Sequence, residues 1–205
     1  MSYVKISDER FIVDLMYARL DNMCGRAIYQ EIGWGNVAVV HQDLWERLRL
    51  LIPVLKRNDM KMKIFDAYRP PVAHRKMREI ISIDGFFAET PERSQHCSGT
   101  AVDVCLCDEN GREFSYPTKV DAFDCRLRAQ VLAGDVAAFR EHLKKARQDF
   151  VSGMYEKEIK NRDFLRQVMA EIGLEPICSE WWHYNLPKNG ISEYLPIDLQ
   201  VEMFI

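Results

Sequence analysis

Hydrophobic and polar positions follow two periods along this chain. Between residues 41 and 55 the apolar residues Leu44, Leu48, Leu51 and Leu55 recur every three or four positions, one face of a helix, with Asp43 placed as its N-cap. Pro53 lies inside that run; without an N–H and with a ring that crowds the preceding turn, it predicts an early end or a kink. Residues 62–68 read as a short strand, and Pro70-Pro71 stops it while suiting the first turn of a helix reaching Ile81. Residues 101–106 alternate with a period of two, setting Val102, Val104 and Leu106 on one face and Ala101, Asp103 and Cys105 on the other. Residues 135–150 and 155–172 read as helices. In the second, Phe164, Leu165, Val168, Met169 and Ile172 form the apolar stripe and Gly173 the C-terminal stop. The aromatic, β-leaning stretch 175–184 reads as a final strand. Strands and helices segregate, which predicts an α+β fold: a small, mainly antiparallel sheet with helices packed on it.

Length and composition narrow the function. With 205 residues, 47% hydrophobic and 29% charged, the chain has enough apolar surface for one core, and no repeat or Ser/Gly linker divides it, so residues 1–205 are expected to form a single domain. A net charge of −3 carries no basic excess to neutralise phosphates, which argues against a nucleic-acid partner and leaves small molecules open. No apolar run approaches the roughly 20 residues that span a bilayer, and the start lacks the apolar core of a secretory signal, so the expectation is a cytoplasmic protein without membrane association. The six cysteines contain no C-x-x-C pair and are expected to be reduced, with Cys105 and Cys107 serving as small buried side chains.

Five histidines can be weighed one by one. His142 and His74 lie in basic or strongly polar helical stretches and His41 opens a helix; all three suit structural or surface roles. His96 and His183 differ in their company. His96 sits in a polar, glycine-containing turn that leads into the strand carrying Asp103, so the imidazole can fold back towards that carboxylate. Neutral imidazole nitrogen and carboxylate oxygen together suit Zn²⁺, although the His-x6-Asp spacing alone is a weak signal. Glu180 precedes His183 by three residues, with Trp181 and Trp182 between them. In an ideal strand these two would face opposite sides, so both serve one site only if a bulge or a strand end re-aims one of them. Granting that, His96, Asp103 and His183 supply three ligands with a fourth position left for water, and Glu180 is placed to act as general base. Arg69, locked by Pro70 and Pro71, is either an arginine paired to a carboxylate or a fixed guanidinium aimed at a developing oxyanion.

Three motifs then carry a resemblance. Ser-x-His-x-x-Gly-x-Ala-x-Asp at residues 94–103, Asp-Ala-Tyr-Arg-Pro at 66–70 and Glu-Trp-Trp-His-Tyr at 180–184 together look like the D-alanyl-D-alanine dipeptidases, zinc peptidases related to bacterial D,D-carboxypeptidases. The opening Asp14-Leu15-Met16-Tyr17-Ala18, followed by Asn22 and Gly25, resembles that family as well. The resemblance implies cleavage of the free dipeptide D-Ala-D-Ala, one Zn²⁺ per chain on His96, Asp103 and His183, Glu180 as catalytic base and Arg69 as transition-state stabiliser. It also implies Ser94 and Asp124 as binders of the substrate's amino end. Cys97 and Ser98 depart from the pattern, which often has a serine and an arginine there. A cell-wall carboxypeptidase acting on longer stem peptides and a non-catalytic module that keeps zinc for stability are the competing readings. A cysteine hydrolase built on Cys97 is a third, disfavoured because neighbouring residues seldom aim at one another.

Overall fold

The computed structural model describes residues 2–82, 87–121, 133, 135, 137–138, 140–141, 156–177, 180–187 and 194–205. Cys125, Cys178, His142, Asp124 and most of the helix expected at 135–150 lie outside them. A five-stranded sheet forms the frame, with strands β2 (Phe11–Val13), β4 (Met60–Asp66), β5 (Ala101–Asp108), β7 (Glu180–Asn185) and β6 (Glu175–Ile177) in that spatial order. The β2–β4 edge pair is parallel and the other pairs are antiparallel. Strands β1 (Tyr3–Lys5) and β3 (Val39–His41) form a separate antiparallel pair. With helices α1 (Ile28–Glu31), α2 (Gln42–Leu48), α3 (Ile52–Arg57), α4 (Pro71–Ile80) and α5 (Glu156–Glu171), the architecture is α+β, as the pattern predicts. Among the described residues no helix is long and apolar enough to cross a membrane.

Local rules explain most element ends. Leu44, Leu48, Leu51 and Leu55 are all buried in one core, each worth roughly 1.5–3 kcal/mol by removal from water. The run breaks where Pro53 predicts it: a 3-10 turn at Arg49–Leu51 separates α2 from α3, and the proline occupies the first turn of α3. The cap is His41 rather than Asp43, because the imidazole Nδ1 accepts the Asp43 N–H at 3.2 Å. Helix α5 ends at Gly173, which adopts φ +74°; there Gly173 N donates to Ala170 O and Leu174 N to Met169 O, a Schellman closure. Leu165, Val168, Met169 and Ile172 bury as expected, whereas Phe164 is exposed. The stretch 175–184 is two strands, not one, with β6 pairing antiparallel to β7.

β5 is buried on both faces. Val102, Val104 and Leu106 enter the core, the opposite face bears the buried Asp103, Cys105 and Cys107, and the chain after β5 turns back so that Glu113 bridges Cys107 in antiparallel fashion. Lys63 on neighbouring β4 is paired with Glu113 at 2.8 Å, Phe114 N donates to Leu106 O, and Gly111 packs so closely on Ile12 that a Cβ would lie 2.9 Å from its Cδ1. Cys97, Cys105 and Cys107 are free thiols. Cross-strand register aligns Asp66 with Asp103 and Asp103 with His183, so three polar side chains form a buried row across neighbouring strands. An irregularity between Ile64 and Asp66 re-aims the end of β4 into that row.

Candidate metal centre and active site

The site begins where β4 ends. Asp66 is fully buried and meets four donors: Tyr29 Oη at 2.5 Å and Ala67 N at 3.0 Å on Oδ1, Arg69 Nε at 3.0 Å and Nη2 at 2.6 Å on Oδ2. Two N–H groups on one oxygen fix the guanidinium plane, and the rings of Tyr17 and Phe87 hold its carbon at 5.4 and 5.5 Å. Arg69 is thus both the paired arginine and the fixed cation that its sequence context left open.

The His96 turn is tied to the same strand end. Arg69 N donates to His96 O at 3.0 Å, and His96 Nδ1 donates to Ala67 O at 2.9 Å. A carbonyl only accepts, so the proton sits on Nδ1 and the Nε2 lone pair is free to face inward. Nε2 lies 3.2 Å from His183 Nδ1 and 3.5 Å from Asp103 Oδ2, and His183 Nδ1 lies 3.1 Å from Asp103 Oδ1. All three side chains are buried, and together they make a group able to hold a metal ion. Burial alone would raise the Asp103 carboxyl, but the His96 and His183 imidazoles hold it far below the usual carboxylate range.

Donor chemistry and spacing fit a tetrahedral ion. Ligands about 2.0–2.2 Å from one centre stand roughly 3.3–3.6 Å from one another, close to the separations found here. The backbone carbonyl on His96 Nδ1 supplies the outer hydrogen bond that commonly orients a metal-bound histidine.

Glu180 opens β7, and its carboxylate lies 3.8 Å from His183 Nδ1. The strand end, together with the register shift between Pro176 and Ile177, meets the geometric demand posed by a Glu and a His three residues apart. Glu180 keeps 32% of its side-chain surface exposed, the most open of these groups. Burial chiefly, opposed by His183 and reinforced by the negative charges of Asp103 and Asp121, pushes its carboxyl well above the ordinary glutamate range. A carboxylate so tuned suits proton transfer near neutral pH.

The D-Ala-D-Ala dipeptidase family model matches residues 6–201. The chain belongs to the D-Ala-D-Ala dipeptidase family. A D-alanyl-D-alanine dipeptidase of Escherichia coli (strain K12) is 28% identical over 176 residues, 86% of this chain and 79% of that protein. One from Synechocystis sp. (strain ATCC 27184 / PCC 6803 / Kazusa) is 24% identical over 151 residues, 60% of this chain and 58% of that protein. Membership makes the chain a metallopeptidase.

In this D-Ala-D-Ala dipeptidase family member, His96, Asp103 and His183 converge with Glu180 beside His183, and Arg69, held on Asp66, lies near enough for its charge to favour the Glu180 carboxylate. Ser94 is buried two residues before His96, its side chain hydrogen-bonded to the Cys97 thiol. Asp124 lies outside the described residues. Asp121, which the motifs did not single out, does reach the site: its Oδ2 accepts Tyr17 Oη at 2.9 Å, and burial, then the charge of Asp103, push its carboxyl up to about 6. The backbone there is left-handed at φ +49°, an uncommon conformation that Asp tolerates better than most residues. Only its place beside Val120, an acid in a partly apolar run, hints at this in the sequence. Cys97 is fully buried and burial pushes its thiol up to about 11, so it is no nucleophile.

Proposed function

We propose that this chain hydrolyses D-Ala-D-Ala, or closely related short D-amino-acid dipeptides, with one Zn²⁺ held by His96, Asp103 and His183. Bound there, zinc would supply Lewis acidity, polarising the scissile carbonyl and acidifying water at neutral pH. Glu180 takes a proton from the attacking water and passes it to the departing amine. Arg69, immobilised on Asp66, stabilises the charge that develops on the carbonyl oxygen. Asp121, whose carboxylate accepts the Tyr17 hydroxyl, receives the substrate's ammonium, and Ser94 and Asp124 are further contributors to that end of the pocket.

The observation that carries this reading is the convergence of three buried metal-type donors within 3.5 Å of one another, with Glu180 on the same side at 3.8 Å. A zinc-keeping module without turnover would have no use for that glutamate or for the fixed guanidinium. The experiment is a panel of D,D-, L,D- and L,L-dipeptides plus one longer stem peptide, run on wild type, Glu180→Gln and His96→Ala with metal analysis. Glu180→Gln is expected to keep its metal and lose at least about a thousandfold in kcat, and His96→Ala to lose both. Unchanged turnover in Glu180→Gln overturns the base assignment. Preference for the stem peptide overturns the substrate assignment.

A further inference from the structure

The segment that delivers Asp121 leaves β5 through a turn and runs back along it, Glu113 bridging Cys107, and side chains hold the rest of it against β7 and its neighbours. Asn161 Nδ2 donates to Ser115 O at 2.8 Å, and Tyr116 Oη accepts the Leu106 N–H at 3.0 Å. The Tyr116 ring lies flat on Trp181, with centroids 4.0 Å apart and planes 7° from parallel. The Trp181 indole N–H then donates to Thr118 Oγ1 at 2.9 Å, three residues before Asp121. Trp181 follows Glu180 on β7, two residues before His183, and is almost entirely out of solvent. One indole therefore ties the loop bearing the Asp121 carboxylate to the strand bearing the proposed base and a proposed metal ligand.

We propose that Trp181 and Thr118 are positioning residues for substrate recognition: the indole–hydroxyl bond and the Tyr116 stack fix the Asp121 carboxylate relative to Glu180 and His183, and so set the affinity for the dipeptide's ammonium. The inference rests on the reading of Asp121 as ammonium partner. A charge-assisted hydrogen bond depends steeply on geometry, and a loop freed by a fraction of an ångström loses it while leaving the metal-type donors, which are fixed from β4, β5 and β7, where they are. The effect belongs in KM, with kcat and metal content retained.

The test is a double-mutant cycle in steady-state hydrolysis of D-Ala-D-Ala. Thr118→Val keeps the shape and removes the acceptor, leaving a buried indole N–H unpaired; KM is expected to rise about fivefold to tenfold, and Thr118→Ser, which restores a hydroxyl, to bring it back near wild type. In an Asp121→Asn background, where the recognising charge is already gone, Thr118→Val is expected to change KM by less than about twofold. An equal KM increase in both backgrounds, or an increase that Thr118→Ser fails to reverse, overturns the positioning role. No KM change in Thr118→Val while Asp121→Asn raises KM also overturns it, and leaves the ammonium assignment standing. A wild-type KM in Asp121→Asn overturns the ammonium assignment itself. Should Thr118→Val not fold, Trp181→Phe, which retains a ring on Tyr116 and removes the donor, enters the same cycle with the same expectations.

Discussion

Asp66 and Arg69 are a buried ion pair whose worth lies in geometry rather than in net stability. Desolvating two charges costs several kcal/mol, repaid only because Asp66 meets four donors and Arg69 lies between two rings. Arg69→Lys keeps the charge but cannot place two N–H groups on one carboxylate oxygen; kcat for dipeptide hydrolysis is expected to fall about 10²- to 10³-fold. Steady-state kinetics on the purified variant checks this, and a kcat within a factor of three of wild type contradicts it. His74 makes a different prediction. Its ring is buried, Nε2 donates to Ala88 O at 2.9 Å, and Nδ1 has no partner among the described residues. Burial, then the nearby positive Arg69, bring its pKa down to about 4 from 6.5. The unfolded chain thus binds this proton more readily than the folded one. Stability is full above pH 6.5 and falls between 6.5 and about 4, by up to roughly 1.4 kcal/mol per pH unit from this group. Urea unfolding at pH 7 and pH 5 should show the loss, and His74→Gln should reduce it.

At the scale of elements, the His96 turn depends on a neighbour distant in sequence. Tyr3 Oη donates to Ser98 O at 3.1 Å and His41 N to Gly99 O at 2.8 Å, so the β1–β3 pair braces the turn from behind. Gly99 sits at φ +67°, and a Cβ there would stand 2.8 Å from the Tyr3 ring and 3.0 Å from His41 N. Gly99→Ala is therefore expected to lose at least about 1–2 kcal/mol through the left-handed backbone alone, and to weaken metal retention by displacing His96. Denaturant melts and metal analysis measure both; a variant as stable as wild type refutes the clash. This brace was not legible in the sequence, because it joins residues nearly a hundred positions apart. Pro53 and Gly173 were legible because each acts through its own backbone. The His41 cap was not, since a histidine Nδ1 fills that role less often than the Asp43 carboxylate two residues on. The split of residues 175–184 into β6 and β7 was hidden too: a continuous β-leaning composition does not reveal where the chain reverses.

Across the whole molecule, what could be read early was which side chains to single out, and what could not was the means of bringing them together. His96, Asp103, His183, Glu180 and Arg69 stood out from residue type and motif; the sheet register sets Asp103 beside His183 and Asp66, and hydrogen bonds to Ala67 O and Asp66 bring in His96 and Arg69. Asp121 was missed because its approach depends on the course of the chain after β5, held by long-range contacts such as Trp181 with Thr118 and Tyr17 with Asp121. Asp66 belonged to a noticed motif without a role, since only burial shows what an acid three residues before an arginine must do. Removing the metal should leave three converging polar groups inside the sheet without their shared partner, so the chelated protein is expected to melt at lower temperature, with recovery on adding zinc.

The most direct test of the account is hydrolysis of D-Ala-D-Ala by the purified protein, assayed as isolated, after exhaustive chelation and after one equivalent of Zn²⁺ is returned. The account predicts activity, its loss, and its restoration in that order. Full activity in the chelated protein, or none towards this dipeptide in the zinc-loaded one, would contradict it.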